Sequence, residues 1–442
     1  MSLTFYGAFA YDLERTDIPK LFGLWIGLFV FAYQLVQKNS QNMLLLGLLA
    51  LVFRLVFLPI LPNLSQDFYR FIWDGRMLIA GYNPYLYLPE NLIANGSAPI
   101  AQAQELYAGM GTLNGSHYTN YPPISQFCYA IAAIIANKSI IGSVIVLRTL
   151  LILADVGIFV YGRKLLKALG LPENRIFWYL LNPFILIELT GNLHFEGLMV
   201  FFIVWSLYFL QKGFWYRAAI CLAFGVSVKL IPLLFLPLFF QHFIKAKAPG
   251  LPIRWAKLIG FYAIVLVATL LLFIPFITTE FLQNFSKTIG LWFQNFEFNA
   301  SIYYIIRWIG FQTVGWNIIG TVGKILPLVT IGVLLGLTFF RKSQTLPQLI
   351  TAMLLGISCY YFLSTTVHPW YLAVPLVLSI FTRYKFALVW SLVIILSYTA
   401  YQHPEFKENL WMVGLEYVIV IGLFVYEITK KTSSKNTIPL SI

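Results

Sequence analysis

The chain has 442 residues, of which 59% are hydrophobic and only 11% are charged. Because soluble globular proteins carry roughly 25% charged residues, this chain lacks the charge to cover a water-soluble body, and disordered and coiled-coil architectures are excluded for the same reason. Its 30 Lys and Arg against 17 Asp and Glu would suggest a nucleic-acid partner in a soluble protein, whereas in a membrane protein they first report topology.

Apolar runs define the elements along the chain. Many hold about 15 to 23 residues, close to the ~20 that a membrane helix needs and well beyond the ~10 of a barrel strand. The candidate spans are 20–37, 43–61, 140–162, 175–191, 194–211, 255–277, 318–340, 346–364, 370–382, 386–401 and 411–428. The sequence predicts an all-α polytopic membrane protein of one domain, 1–442, with about 12 to 13 membrane helices.

Basic loops predict the orientation of these spans. Loops with 18 of the 30 cations contain only two acids, Glu173 and Glu427. The 18 cations are Lys38, Arg163, Lys164, Lys167, Arg175, Lys212, Arg217, Lys245, Lys247, Arg254, Lys257, Arg341, Lys342, Arg383, Lys385, Lys430, Lys431 and Lys435. The positive-inside rule puts them in the cytoplasm, so segments 62–122 and 278–317 become extracytoplasmic loops. The surplus charge is an orientation signal, and no nucleic-acid partner is expected.

Two apolar segments are too short to cross alone. Segment 214–244 lies between basic loops that face the same side, and two full crossings would need about 40 residues. It is predicted to be a hairpin of short or broken halves with Lys229 near its tip. Segment 123–136 is expected to enter the outer face without crossing. Since irregular backbone at membrane depth occurs only inside protein or beside water, both segments indicate one extracytoplasmic cavity.

The densest polar cluster opens the first large loop. If 66–80 is helical, Asp67, Arg70 and Asp74 stand on one face and the large apolar side chains between them become buried. A structural interpretation stays open, because Ser65 is a good N-cap, an early aspartate complements the helix dipole, and Arg70 could pair with both aspartates.

Several charged residues lie inside predicted spans, among them Arg54, Arg148 and Asp155. Arg148 and Asp155 lie seven residues apart on one helix face, which favours a structural ion pair with each other or between helices. Arg54 lies near the outer end of its span, so its side chain is expected to extend to the interface.

Lys229 has no acidic residue within twenty positions on either side. A cation at such a cavity points to an anionic ligand, most simply a phosphate. His368 precedes the helix-breaking Pro369 and either donates to a phosphate or packs, and the sequence favours neither. Because the common nucleotide-binding motifs are absent, a lipid-linked donor fits better than a soluble nucleotide.

Several short motifs resemble one family. The stretches Asp67-Phe68-Tyr69-Arg70, Trp73-Asp74-Gly75-Arg76, Gly81-Tyr82-Asn83-Pro84-Tyr85 and Tyr121-Pro122-Pro123 resemble the first-loop pattern of multispanning GT-C glycosyltransferases. They are most similar to polyprenol-phosphate-mannose-dependent mannosyltransferases, including GPI mannosyltransferase I and its bacterial relatives. Later stretches, Asn182-Pro183, Gly191-Asn192, Glu196, Lys229-Leu230-Ile231-Pro232 and His368-Pro369-Trp370-Tyr371, are similar to further segments of that group.

The resemblance implies a GT-C-type fold with an interfacial helix in the first loop, and an enzyme in the bacterial inner membrane. It implies inverting transfer of a hexose, expected to be mannose, from a polyprenyl-phosphate donor to a glycan or glycolipid acceptor on the extracytoplasmic face. Asp67 takes the place of the general base, and Lys229, His368 and Arg70 are expected to bind the donor phosphate. Residues expected to line the site or to orient the loop are Tyr69, Asp74, Arg76, Tyr121, Asn192, Glu196, Trp370 and Tyr371.

Metal use and two rival functions stay open. Relatives often carry Asp-x-Asp where this chain has Ser65-Gln66-Asp67, so a divalent metal that needs both carboxylates would lack one, and no cofactor is certain. One rival function is a transporter or flippase of a lipid-linked saccharide, for which matching broken helices in two halves would be expected. The other is a polymerase or ligase of lipid-linked glycans, which would differ in donor size.

Overall fold

A computed structural model describes residues 1–245, 250–402 and 405–430, so Lys247, Lys431 and Lys435 lie outside the described residues. Within those ranges the chain folds into helices without any extended strand, and one isolated bridge joins Phe298 to Thr366. The predicted all-α class is confirmed.

Twenty α-helices follow one another along the described residues. The first eight are α1 (Ser2–Tyr11), α2 (Ile18–Lys38), α3 (Met43–Phe57), α4 (Asp67–Ile79), α5 (Pro89–Ala94), α6 (Ala103–Gly115), α7 (Pro123–Ala136) and α8 (Ile140–Ala168). The next seven are α9 (Phe177–Leu180), α10 (Glu196–Gln211), α11 (Trp215–Val228), α12 (Phe239–Ile244), α13 (Leu251–Phe273), α14 (Thr279–Gln294) and α15 (Ile302–Thr313). The last five are α16 (Ile319–Phe340), α17 (Leu346–Leu363), α18 (Ala373–Ile380), α19 (Phe386–Val393) and α20 (Leu410–Thr429).

Tighter and wider helical turns join these elements. The part of the chain that the structure describes contains six 3₁₀ segments, at Pro84–Leu86, Glu173–Ile176, Ile231–Leu238, Ile274–Phe276, Pro369–Leu372 and Ile394–Tyr401. A π-helical turn occupies Ile185–Gly191. Such irregular turns are frequent near functional sites, because they redirect side chains that a regular helix would place elsewhere.

Six of the described helices are long and apolar enough to cross a membrane: α2, α8, α13 with its 3₁₀ extension, α16, α17 and α20. The turn Ile185–Gly191 and α10 form a seventh candidate that is bent by 111°. Shorter apolar helices of 10–17 residues accompany them. The polytopic membrane protein is confirmed, while the number of 12 to 13 crossings stays a prediction. The two loops predicted over 62–122 and 278–317 contain helices of their own, α4 to α6 and α14 to α15.

The broken hairpin has the predicted form. Helix α11 ends at Val228, and Lys229 is extended, with φ −150° and ψ 144°. Pro232 and Pro237 follow in a 3₁₀ segment, because proline lacks the N–H that an α-helix would use. The chain then returns through α12. Lys229 therefore lies at the break between the two halves.

Helix α4 forms over the predicted residues and buries the predicted apolar side chains, Phe68, Phe71, Ile72 and Trp73, each at 2% exposure or less. It packs against α7 at very short range. A Cβ added to Gly75 would lie 2.2 Å from the carbonyl oxygen of Tyr129, so only glycine fits there. This contact holds the second half of α4 against α7.

Of the two alternatives for Asp155, the structure confirms an ion pair between helices, in which Arg54 of α3 is the partner. Arg54 does not extend to the interface, because it is 2% exposed and its Nε donates to Asp155 at 2.7 Å. The alternative of a pair between Arg148 and Asp155 is wrong, since seven residues along one helix place them about 10 Å apart. Arg148 instead donates to backbone carbonyls of residues 57, 58, 60, 190 and 191. It joins the end of α3 to the π-helical turn.

We expect Arg54→Ala to lower the free energy of unfolding by about 3–5 kcal/mol, because it leaves the Asp155 carboxylate buried without its partner. Replacing both residues by leucine should recover most of this loss, since no unpaired charge remains. Thermal unfolding of the detergent-purified protein measures both effects.

The exposed pair between Lys20 and Asp12 is the matched control, at 2.7 Å with exposures of 32% and 75%. Lys20→Ala should cost about 0–1 kcal/mol. Equal stability of Arg54→Ala and Lys20→Ala would contradict a stabilising role for the buried pair.

Candidate active site

A cavity of about 590 Å³ lies among the first loop, the broken hairpin and the connection between α17 and α18. The predicted site residues that line it are Asp67, Tyr121, Lys229, His368, Trp370 and Tyr371. Other polar and aromatic residues on its wall include Arg15, Gln66, Asn114, His117, Trp292, Tyr360, Tyr398 and Tyr401. The fold thus brings together side chains that are far apart in the sequence, such as Arg15 and Tyr401, which are 386 positions apart.

Asp67 is the first residue of α4. It is half-buried and lines the cavity. Its Oδ1 accepts a hydrogen bond from Asn114 Nδ2 at 3.1 Å. Burial raises the pKa of the Asp67 carboxyl, and the Asn114 hydrogen bond and the positive charge of Lys229 act in the opposite direction. The site therefore holds a carboxylate whose proton affinity is increased, which suits a general base.

Lys229 is not the isolated cation that the sequence predicts. Its Nζ donates to Glu196, a fully buried residue at the start of α10. The other oxygen of Glu196 has no hydrogen-bond partner among the described residues. Lys229 Nζ also lies 5.7 Å from the ring centroid of Tyr371. Because an ammonium carries three donors, the pair with Glu196 leaves donors for a ligand in the cavity.

His368 belongs to a stack of rings at the cavity wall. Its ring lies 4.6 Å from Trp370 at an interplanar angle of 5°, and His194 stacks on Trp370 at 3.7 Å. Burial, with the positive charge of Lys229 nearby, lowers the pKa of His368 to about 3. The imidazole is neutral at pH 7, so it can donate one N–H to an anion without adding a positive charge.

His117 lies buried in the same cavity. Its Nδ1 is 2.9 Å from the carbonyl oxygen of Tyr118, and since a carbonyl only accepts, Nδ1 carries the proton. Its Nε2 has no partner among the described residues. Burial, then the charge of Arg70, lowers the pKa of His117 to about 4. The sequence contained only a weak signal for this residue, which stands four positions before the Tyr121-Pro122-Pro123 motif.

Arg70 does not line the cavity and does not pair with Asp67. Its Nε donates to Asp74 Oδ1 at 2.9 Å, and its Nη1 donates to the carbonyls of Asn114 and His117 at 2.6 and 3.0 Å. The expectation that Arg70 pairs with both aspartates is wrong for Asp67. Its contacts hold the segment that supplies Asn114 and His117 to the cavity.

Other predicted residues also stand behind the wall. Arg76 donates to the carbonyls of Ala101 and Lys138 at 2.7 and 2.9 Å and so anchors the first loop. Asn192 Oδ1 accepts from the backbone N–H of Leu64 at 3.2 Å, three residues before Asp67. Tyr69 packs against the ring of Phe68 and against Gly109.

Sequence reasoning missed several cavity residues. Asn114 lies in an unremarkable helix, and only its contact with Asp67 shows its position. Tyr398 is aromatic in an aromatic-rich chain, yet its hydroxyl donates to the buried Glu188 at 2.6 Å. No local pattern distinguishes these residues, because their partners are far away in sequence.

The residues around Asp67 do not fit a two-carboxylate metal site. Gln66 occupies the neighbouring position, and its Nε2 donates to the carbonyl of Met110 at 3.0 Å. Over the described part of the chain, no group of three or more His, Cys, Asp or Glu could hold a metal ion.

The helical, polytopic architecture and the first-loop cavity are consistent with a membrane glycosyltransferase of the GT-C type, and a family match supports this class. Residues 15–245 match the model of the MptA_B family, described as alpha-(1->6)-mannopyranosyltransferase, N-terminal domain. The match covers more than half of the chain, so the chain belongs to this family and is an integral membrane mannosyltransferase. It includes Asp67 and Lys229 and ends before His368. A search of the curated proteins finds no match.

We expect Asp67→Asn to stabilise the protein at pH 7. The folded state raises the pKa of this carboxyl, so its contribution to stability is complete below the unfolded pKa and is lost as the pH rises through the folded pKa. The amide removes the cost of a buried negative charge, and the advantage should shrink towards pH 4. Thermal unfolding at both pH values measures it.

The control is Glu90→Gln, an exposed acid at the start of α5, which should change stability little at either pH. An Asp67→Asn protein that is less stable than the native one at pH 7 would contradict this account of the site.

Proposed function

We propose that this cavity transfers a mannosyl group from a polyprenyl-phosphate donor to a hydroxyl of a glycan or glycolipid acceptor, forming an α-(1→6) linkage. The observation that carries the proposal is that Asp67 and Lys229, 162 positions apart, line one cavity. A base at this site can accept the proton that the acceptor hydroxyl loses. A cation at the same site can stabilise the negative charge that the leaving phosphate gains. The family description supplies the sugar and the linkage.

Asp67 is proposed as the general base. The acceptor oxygen forms a bond to the anomeric carbon while the bond from that carbon to the phosphate oxygen breaks. One displacement of this kind inverts the configuration at the anomeric carbon. The hydroxyl proton moves to Asp67, whose burial increases its affinity for a proton. Base catalysis of this type contributes about 10²–10⁴-fold.

Lys229 is proposed to stabilise the leaving polyprenyl phosphate. Negative charge increases on the phosphate as its bond to the sugar breaks, and a fixed ammonium in a partly buried site stabilises that charge strongly. Glu196 holds Lys229 in place, and the neutral His368 can add one hydrogen bond. Arg70, which does not line the cavity, is proposed to position the loop and not to bind the phosphate.

The cavity is proposed to face the extracytoplasmic side of a bacterial inner membrane. Support comes from the distribution of charge, because the loops rich in Lys and Arg belong to the cytoplasmic side under the positive-inside rule. The prenyl chain of the donor stays in the bilayer, which accounts for a reaction carried out at the membrane surface.

We expect Asp67→Asn to reduce kcat by about 10²–10⁴-fold, because the amide cannot accept the proton. Transfer of radiolabelled mannose from polyprenyl-phosphate mannose to membrane acceptors, with purified protein, measures the loss. Glu90→Gln, in the same loop but outside the cavity, should keep full activity. Unchanged turnover in a folded Asp67→Asn protein would refute the base role. Movement of lipid-linked sugar without any new glycosidic bond would support the rival transporter.

We expect Asn114→Ala to shift the acidic limb of the pH profile of kcat/KM to higher pH. The Asn114 hydrogen bond lowers the pKa of Asp67, so its loss raises that pKa and the base becomes protonated sooner as the pH falls. Asn95→Ala, an exposed asparagine in the same loop, is the matched control. A profile unchanged from the native one would argue that another group is the base.

A further inference from the structure

Arg15 is a cavity residue that the proposed reaction does not use. It lies between α1 and α2 and lines the cavity that contains Asp67. Its Nη1 donates to the carbonyl of Leu64 at 3.2 Å, and its guanidinium carbon lies 4.1 Å from the ring centroid of Tyr401. The aromatic ring and the carbonyl together hold the guanidinium in place.

Arg15 has no carboxylate partner among the described residues. The neighbouring Asp12 pairs with Lys20, and Asp17 accepts from the backbone N–H of Lys20 at the start of α2. Of the five N–H donors of Arg15, the described hydrogen bonds use only the one to Leu64. Lys229, by contrast, already has Glu196. Among the described residues, Arg15 is therefore the cavity cation that has no carboxylate partner, and most of its donors are unused.

Arg15 and Lys229 belong to different parts of the wall. Lys229 lies beside Tyr371 and Glu196. Arg15 lies on Tyr401 and on the segment that leads into Asp67. If the donor phosphate binds at Lys229, the attacking molecule must approach Asp67 from another direction, and the wall around Arg15 is available for it.

We infer that Arg15 binds an anionic group of the acceptor, a phosphate or a carboxylate close to the attacking hydroxyl. The inference rests on the proposed function, because it assigns the donor phosphate to Lys229. A planar guanidinium held over an aromatic ring suits two-oxygen recognition of such an anion. A partly buried cation without a counter-charge is costly, and an anionic acceptor would remove that cost. Arg15 thus determines acceptor specificity.

The test compares three synthetic mannoside acceptors that share the attacking hydroxyl and bear a phosphate, a carboxylate or a neutral group. We expect the native protein to prefer an anionic acceptor, and the better of the two identifies the anion. Arg15→Ala should raise KM for that acceptor about tenfold to a hundredfold, as expected for a lost hydrogen bond to a charged group. KM for the donor and for the neutral acceptor should stay within about threefold.

Two further variants serve as an alternative to Arg15→Ala and as a control. Arg15→Gln retains a donor for Leu64 without the charge and should reproduce the KM effect if Arg15→Ala folds poorly. Arg307→Ala is the matched control, because Arg307 also stacks on a tyrosine, Tyr304, at 4.2 Å, but pairs with Glu297 and does not line the cavity. It should leave all three acceptors unchanged.

Two results would overturn the inference: a native protein without preference for an anionic acceptor, or an Arg15→Ala protein in which only the donor KM rises. Neither result bears on Asp67 as the base. Conversely, a fully active Asp67→Asn protein would end the proposed mechanism while leaving the acceptor preference measurable.

Discussion

The buried ion pair between Lys229 and Glu196 is the interaction on which the cavity depends. Glu196 is fully buried at the start of α10, and Lys229 stands at the break that follows α11. A buried charge without a partner costs several kcal/mol, so the fully buried Glu196 needs Lys229, which is itself only partly buried. The pair holds the broken hairpin against the bent segment and keeps an ammonium at the cavity wall. One contact therefore serves both stability and the proposed chemistry.

Arginine side chains make the irregular backbone around this pair tolerable. Helix ends and breaks leave carbonyl oxygens without helical donors, and these groups need partners wherever water is excluded. Arg148 supplies donors to five such carbonyls, at the end of α3 and at the π-helical turn. Arg70 does the same for the segment that follows α6. Charges that resemble functional residues in the sequence thus hold the frame in which Asp67 lies.

The cavity shows how a mostly apolar bundle can contain a reactive carboxylate. Asp67 begins a helix whose neighbouring residues are tightly packed, so its position is fixed by α4 and by the close contact at Gly75. A single amide hydrogen bond and a nearby lysine offset part of the cost of burial. The remaining cost increases the affinity of the carboxylate for a proton, which is the property that a base requires.

By itself the sequence determined that the chain is a helical membrane protein, that α4 forms and that the hairpin breaks at Lys229. These features follow from local composition, since apolar length sets a membrane helix and proline removes a backbone donor. Only the tertiary structure decided which charges meet. Arg54 pairs with Asp155 across 101 positions of sequence, and Lys229 pairs with Glu196 across 33 positions. At such separations no helical periodicity relates the two residues. Partner choice is a property of how helices pack, and packing is absent from the local pattern.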